Sequence, residues 1–124
     1  MQTEEEINQI LGDLAADTPG FIAASLVDLD SGMTLGVYAK RDDFDLTSAS
    51  AYNSELVKQK QKIMAALDLD MALDDLTMTL TDQIHVIQLT ATGSSFVYLA
   101  TDRSATNLAL VRKAMANQVK RIEH

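Results

Sequence analysis

The chain of 124 residues reads Phe96-Val-Tyr-Leu-Ala-Thr-Asp-Arg103 near its C-terminus and continues Ser104-Ala-Thr-Asn-Leu-Ala-Leu-Val-Arg112. The first part is an apolar run of strand length, and it ends in the polar turn residues Asp102 and Arg103. The second part predicts an amphipathic helix that begins near Ser104. Its expected buried side is Leu108, Val111, Met115, Val119 and Ile122. Because the strand is apolar on both faces, it predicts a sheet that helices cover on both sides.

Four more strands are predicted upstream of this unit. Ile84 to Leu89 is a short apolar strand, and Leu76 to Thr81 alternates apolar residues with threonine, as a strand with one buried face does. Phe21 to Val27 and Met33 to Ala39 are separated by the turn residues Asp28 to Gly32. These two runs therefore predict a β-hairpin.

Two further helices are predicted from apolar spacing. Thr3 and Glu6 form a capping box ahead of the first helix, and Thr47 or Ser48 is expected to cap the second. The second helix carries an apolar stripe of Ala49, Tyr52, Leu56, Ile63 and Leu67, widened by Val57 and Met64 and interrupted by Lys60. The expected order is α-β-β-α-β-β-β-α. This order predicts an α+β fold with a five-stranded antiparallel sheet, in a single domain that spans residues 1–124.

Composition excludes several classes of partner and chemistry. Lys and Arg total 10 and Asp and Glu total 18, so the formal net charge is −8, which disfavours nucleic acid and anionic membranes as partners. There is no cysteine, so disulfides and thiolate chemistry are impossible. No apolar run reaches the ~18 residues of a membrane span, and the N-terminus lacks a signal-peptide pattern. We expect a soluble cytoplasmic protein.

The sequence offers little catalytic machinery. His85 lies within a predicted strand without an evident partner, which favours a structural role. Asp28-x-Asp30-x-Gly32 lacks the late glutamate of a calcium loop, because Ala39 stands where it would fall. The acidic run from Asp68 to Asp75 is more typical of a solvated loop than of a cation site. No phosphate-binding glycine loop is present. We therefore expect no enzyme activity, cofactor or metal, and a hydrolase built on His85 is the weakest hypothesis.

Two stretches carry a family resemblance. Pro19-Gly-Phe-Ile-Ala-Ala-Ser-Leu-Val-Asp28, with Gly32 closing the turn, resembles the first strand of the roadblock/dynein light-chain superfamily. Phe96-Val-Tyr-Leu-Ala-Thr-Asp102 and Asn107-Leu-Ala-Leu-Val-Arg112 resemble the last strand and helix of that superfamily, especially in its bacterial MglB-like members. The resemblance implies a profilin-like α/β/α sandwich.

The resemblance also implies a dimer. Members of the superfamily form homodimers or heterodimers by pairing the central helix and the strand that follows it. The implied interface residues are Tyr52, Leu56, Val57, Lys60, Ile63 and Met64 on the helix, with Leu76, Met78 and Leu80 on the strand. The wide apolar stripe and the alternating strand, which would offer unpaired backbone groups at a sheet edge, favour the same surface independently.

The implied function is non-enzymatic. Members of the superfamily scaffold or regulate partners, commonly Ras-like small GTPases, so a homodimer that binds a small GTPase or another signalling protein is expected. The segment from Lys40 to Ser50 departs from the members of the superfamily that regulate cell polarity. It is a long polar connection, whereas those relatives often pass directly from the second strand to the central helix. A second hypothesis is a small-molecule sensor, because profilin-like sandwiches are layered like PAS and GAF sensor domains.

Overall fold

The computed structural model describes residues 2–124, which form three α-helices and one five-stranded antiparallel sheet. The helices are α1 (Glu4–Asp17), α2 (Leu46–Ala66) and α3 (Leu108–Val119). The strands are β1 (Phe21–Asp28), β2 (Thr34–Ala39), β3 (Asp75–Thr79), β4 (Gln83–Leu89) and β5 (Ser95–Asp102). The predicted order and fold class are confirmed, with a short 3₁₀ helix at Arg103–Ala105 added between β5 and α3.

The sheet order is β2-β1-β5-β4-β3, so β5 lies at the centre and β2 and β3 form the two edges. In the central register, Leu99 of β5 lies between Ala24 of β1 and Val86 of β4. Every residue of β5 from Ser95 to Thr101 is buried. The apolar run that predicts a two-sided strand is therefore covered on both faces.

Each face of the sheet has its own apolar cluster. On one face, α1 and α3 pack against alternate residues of the strands, including Leu26, Val86 and Leu99. On the other face, α2 packs over β1 and β2. The cluster on the α2 face comprises Ile22, Ala23, Val27, Leu29, Leu46, Val57, Ile87, Phe96, Tyr98 and Ala100. The α/β/α layering therefore places α2 alone on its side of the sheet.

The start of α2 differs from the prediction. The helix begins at Leu46 and its cap is Asp45, rather than Thr47 or Ser48. The Asp45 carboxylate accepts hydrogen bonds from Ser48 N at 3.1 Å and from Ser48 Oγ at 2.7 Å. These bonds hold the pKa of Asp45 below its ordinary value, because they favour the charged form. A carboxylate is at least as good a cap as a hydroxyl, and its charge favours the helix N-terminus.

The start of α3 also differs from the prediction. Ser104 lies in the 3₁₀ helix, and α3 begins at Leu108 after the cap Asn107, whose Oδ1 accepts from Leu110 N at 3.0 Å. The predicted core residue Leu108 is 39% exposed because it occupies the first turn, whereas Val111, Met115, Val119 and Ile122 are buried as predicted. The predicted strand at Leu76–Thr81 ends earlier, at Thr79.

The β2 edge is covered by α1. Asn8 Oδ1 accepts a hydrogen bond from Val37 N at 2.9 Å, so an outward-facing backbone donor of β2 is already used. Close packing is possible here because residue 36 is glycine: a Cβ at Gly36 would lie 2.5 Å from Ile7 Cγ2 and 2.9 Å from Asn8 Oδ1. The first helix thus protects this edge of the sheet from pairing with another strand.

Candidate interaction surface

Two of the four buried residues on the sheet-facing side of α2 are serines. These four residues are Leu46, Ser50, Ser54 and Val57. Ser50 Oγ accepts from Thr34 Oγ1 at 3.0 Å, and Ser54 Oγ donates to Leu29 O at 2.9 Å. Small hydroxyl side chains allow α2 to lie close to β1 while each polar atom keeps a partner. Apart from Leu46 and Val57, the large apolar side chains of α2 are not buried against its own sheet.

Those large side chains face solvent instead. Tyr52 is 77% exposed, Leu56 40%, Ile63 41% and Leu67 64%. Because an α-helix turns by about 100° per residue, their spacing places them on one side of the helix, roughly 120° away from the buried serines. We call Tyr52, Leu56, Ile63 and Leu67 the α2 stripe. An exposed apolar row of this kind is typical of a surface that binds another protein.

The α2 stripe lies on the side of the helix that is turned away from the β1–β2 turn. On the opposite side of α2, Lys58 Nζ donates to Asp30 O in the β1–β2 turn at 2.9 Å. On the stripe side, Met64 lines a groove together with Leu73 and Leu89, which is the last residue of β4. The helix thus turns a polar side towards the hairpin, while Met64, beside the stripe, borders the groove at the end of β4.

One predicted interface residue is wrong. Val57 has 0% of its surface exposed and packs in the apolar cluster between α2 and the sheet, so it has no area to offer a partner. Helical spacing alone puts Val57 beside Leu56, and only the position of the sheet separates them. Lys60 and Met64, which flank the stripe on its sheet-facing side, are half-buried.

The predicted strand residues lie on the same face of the sheet as α2. Leu76 and Met78 are half-buried and pack against the cluster on that face. Leu80 is 45% exposed and follows the end of β3, where its N–H donates to Gln83 O at 2.8 Å to close the β3–β4 turn. The structure therefore brings Leu76 and Met78 to the open half of the sheet, and it places Leu80 at its corner.

The β3 edge offers free backbone groups. Leu80 N donates to Gln83 O and Leu89 N donates to Asp74 O, so the even-numbered residues of this segment bond to β4. Because hydrogen-bonded residues alternate along an antiparallel strand, the backbone of Asp75, Thr77 and Thr79 points to the open edge. No outward bond from these residues is found within residues 2–124. Unlike β2, this edge is ready to pair with another strand.

Sequence reasoning missed an apolar extension of this surface. In the connector between α2 and β3, Leu69 is 39% and Met71 is 66% exposed. The aspartates that alternate with these side chains predict an acidic, solvated loop instead. The sequence indicates this extension through the apolar residues that follow two of the aspartates, Leu69 after Asp68 and Met71 after Asp70.

The connector also borders two grooves. One has a volume of about 580 Å³ and lies between the connector, the β4–β5 turn and α3, where Arg112 Nη2 contacts Asp75 Oδ2 at 2.9 Å. The other has a volume of about 290 Å³ and lies between the connector and the C-terminal half of α2. Both volumes are of the order that small-ligand sites require, roughly 300–1,000 Å³.

His85 belongs to an internal polar cluster. Its Nε2 donates to Gln83 Oε1 at 2.7 Å and its Nδ1 accepts from Tyr98 Oη–H at 3.0 Å, in the neutral tautomer. Phe44 from the β2–α2 loop covers both rings, with its centroid 6.1 Å from that of His85 and 6.3 Å from that of Tyr98. Burial lowers the pKa of His85 and raises the pKa of Tyr98 to about 12. Both imidazole nitrogens are thus engaged inside the fold.

The burial of His85 predicts a pH-dependent stability. The unfolded chain binds a proton at His85 near pH 6.5, whereas the folded chain binds it only at lower pH. The free energy of unfolding should therefore be fully retained above about pH 6.5 and fall as the pH drops through the lowered pKa. Urea unfolding between pH 7.5 and 5 measures this decrease. His85→Gln should lose most of it, and an equal decrease in His85→Gln would contradict the assignment.

Across residues 2–124, no group of three or more His, Cys, Asp or Glu side chains is arranged to hold a metal ion. None of the helices in this range is long and apolar enough to cross a membrane.

Comparison with solved structures identifies the fold. The chain superposes on Myxococcus xanthus MglB with a TM-score of 0.81 at 16% identity, over 92% of this chain and 89% of that one. It superposes on a roadblock/LC7 domain from Streptomyces avermitilis with a TM-score of 0.80 at 18% identity, over 92% of each chain. An MglB with tetrameric arrangement matches with a TM-score of 0.82 at 14% identity, over 95% of this chain and 85% of that one.

Sequence comparison adds nothing to this result: no family model matches the chain, and no curated protein matches it. The structural likeness covers nearly the whole chain, so the fold is a roadblock-like α+β sandwich, as the resemblance in β1, β5 and α3 predicts. At 14–18% identity, the likeness shows the fold alone.

Proposed function

We propose that this chain is a non-enzymatic, dimeric interaction module that regulates or scaffolds a Ras-like small GTPase or a related signalling complex. The observation that carries the proposal is a pair of exposed features. One is the α2 stripe, and the other is the open edge of β3, whose side chains Leu76 and Met78 lie on the face of the sheet that α2 covers. The proposed contact residues are Tyr52, Leu56, Lys60, Ile63, Met64, Leu76, Met78 and Leu80.

Two physical features favour dimerisation through this surface. A second copy could extend the sheet by pairing its own β3 with the backbone of Asp75, Thr77 and Thr79. The same approach would bring two α2 stripes together and remove their apolar side chains from water. The roadblock-like fold supports this arrangement, and one matched structure is an MglB with tetrameric arrangement. The GTPase partner follows from the family resemblance.

A proline at the β3 edge should weaken the dimer without unfolding the chain. The N–H of Thr77 points away from β4, so Thr77→Pro keeps the β3–β4 ladder but removes the outward donor. Each dimer loses two such donors at ~1 kcal/mol each, which predicts roughly a tenfold or greater rise in the dimer Kd. Sedimentation equilibrium at micromolar concentration measures this constant. Thr77→Val is the matched control, because it retains the N–H and should dimerise like the wild type.

The GTPase proposal has a separate test. Purified Ras-like small GTPases from the same organism, loaded with GDP or with a non-hydrolysable GTP analogue, can be titrated into the dimer by calorimetry. We expect one of them to bind with a preference for one nucleotide state, because regulators distinguish the conformations of their partner. Failure of every such GTPase to bind would refute this part of the proposal and leave the dimer untouched.

The two grooves beside the connector favour a second candidate function, a small-molecule sensor. A ligand that binds only the folded chain raises its melting temperature. A thermal-shift screen with metabolites should reveal a ligand if the larger groove, lined by Gln88, Thr92 and Arg112, is a binding site. Arg112→Ala should then abolish the shift. An absence of any shift, together with binding of a GTPase, would favour the interaction module.

A further inference from the structure

The α2 stripe has a symmetric spacing. Its members are separated by four, seven and four residues, from Tyr52 to Leu56, from Leu56 to Ile63 and from Ile63 to Leu67. The centre of this pattern lies between Gln59 and Lys60. A two-fold interface is self-complementary, so a residue that contacts a given position on the second copy is contacted in turn by its equivalent. A symmetric stripe is therefore suited to a second copy of the same chain.

An antiparallel pair of α2 helices satisfies this symmetry. It places Leu56 against Ile63 of the second copy, and Tyr52 against Leu67, on both sides of the two-fold axis. The four side chains of the α2 stripe are uncharged, whereas the chain as a whole has a net charge of −8. An uncharged contact reduces the repulsion between two acidic chains. The open β3 edge on the same side supports the same occupant.

Lys60 falls at the centre of this arrangement. It is half-buried beside the stripe, and within residues 2–124 no carboxylate lies within 4.0 Å of its ammonium group. Lys58 differs, because its Nζ lies 3.8 Å from Glu55 and donates to Asp30 O on the far side of the helix. Helices in contact lie about 8–10 Å apart, so the two copies of Lys60 come close to each other at the axis.

We propose that Lys60 from the two copies forms a dicationic site on the two-fold axis, which weakens the bare dimer and binds a small divalent oxyanion such as sulfate. This inference rests on the proposed homodimer. Neither copy holds the site alone, because one ammonium group without its symmetry mate is an ordinary half-buried lysine. An oxyanion between the two ammonium groups converts like-charge repulsion into two charge-assisted hydrogen bonds.

Sedimentation equilibrium tests the site through the dimer Kd. Wild type, Lys60→Met and the control Lys62→Met are compared in sodium chloride and in sodium sulfate at equal ionic strength. Lys62 lies on the opposite side of α2, so its removal should leave both values unchanged. We expect sulfate to tighten the wild-type dimer about tenfold relative to chloride. Lys60→Met should dimerise about tenfold more tightly than wild type in chloride and show little further response to sulfate.

The outcomes separate the two proposals. A wild type that stays monomeric in both salts would refute the homodimer itself, and this site with it. A dimer whose Kd is unchanged or weakened by Lys60→Met in chloride would refute the dicationic site alone. Sulfate also strengthens apolar association in general, so an equal response to sulfate in Lys60→Met would likewise overturn the site.

Discussion

Leu56→Glu is expected to convert the proposed homodimer into a monomer at micromolar concentration. Leu56 is 40% exposed in the single chain and lies in the α2 stripe, where the symmetric arrangement puts it against Ile63 of the second copy. The substitution introduces two carboxylates per dimer into an apolar contact. Burying an unpaired carboxylate costs several kcal/mol, so the dimer Kd should rise by a factor of about 100 or more. Sedimentation velocity across a concentration series measures the change.

Leu110→Glu is the matched control for this prediction. Leu110 is a leucine of similar exposure, 47%, and it lies on α3 away from the proposed interface. Its substitution makes the same change of charge and hydrophobicity, so it should leave the dimer intact. The proposed interface is refuted if Leu110→Glu dissociates the dimer while Leu56→Glu does not. Circular dichroism should show that both variants retain the fold, because both positions are exposed in the single chain.

Leu99→Ala should destabilise the fold by about 3–4 kcal/mol, which is a large part of the stability of a domain of this size. Leu99 is fully buried in the central strand β5, between Ala24 and Val86. The two neighbouring side chains are smaller than leucine, so they cannot fill the space that truncation leaves. Urea unfolding, monitored by circular dichroism, measures the loss as a lower midpoint with an unchanged slope.

The corresponding control is Leu110→Ala, which should change the free energy of unfolding by less than about 0.5 kcal/mol because the side chain is largely exposed. Equal losses in the two variants would show that the packing around Leu99 is not the core described above. Both measurements need protein concentrations below the dimer Kd, or a common concentration for both variants, because dimerisation adds to the apparent stability.

The fold was largely predictable because local signals agreed with the final packing. The apolar run from Phe96 to Thr101 is a central strand, and the alternation from Leu76 marks an edge strand. The predicted starts of α2 and α3 were less accurate. The cap of α2 is Asp45, whereas Thr47 or Ser48 was predicted, and α3 starts after Asn107, whereas a start near Ser104 was predicted. All of these residue types can cap a helix, so the choice depends on where the chain leaves the preceding loop.

The candidate surface was only partly predictable. The helical spacing of α2 identifies Tyr52, Leu56 and Ile63 as one apolar row, but it does not say whether that row faces the sheet or solvent. The structure turns Ser50 and Ser54 to the sheet and leaves the row exposed. A helix that buries two serines and exposes Tyr52, Leu56 and Ile63 departs from the usual expectation, and that departure supports the proposed interaction surface.

The amino-acid sequence by itself determined the elements, their order and the layered fold class, because apolar periodicity and turn residues act over a few neighbouring positions. Only the tertiary structure decided which side of α2 is buried, that Asn8 closes the β2 edge, and that β3 remains open. Those features depend on contacts between residues far apart in the chain. The same tertiary contacts separate Val57, which is buried in the core, from Leu56, which stays exposed.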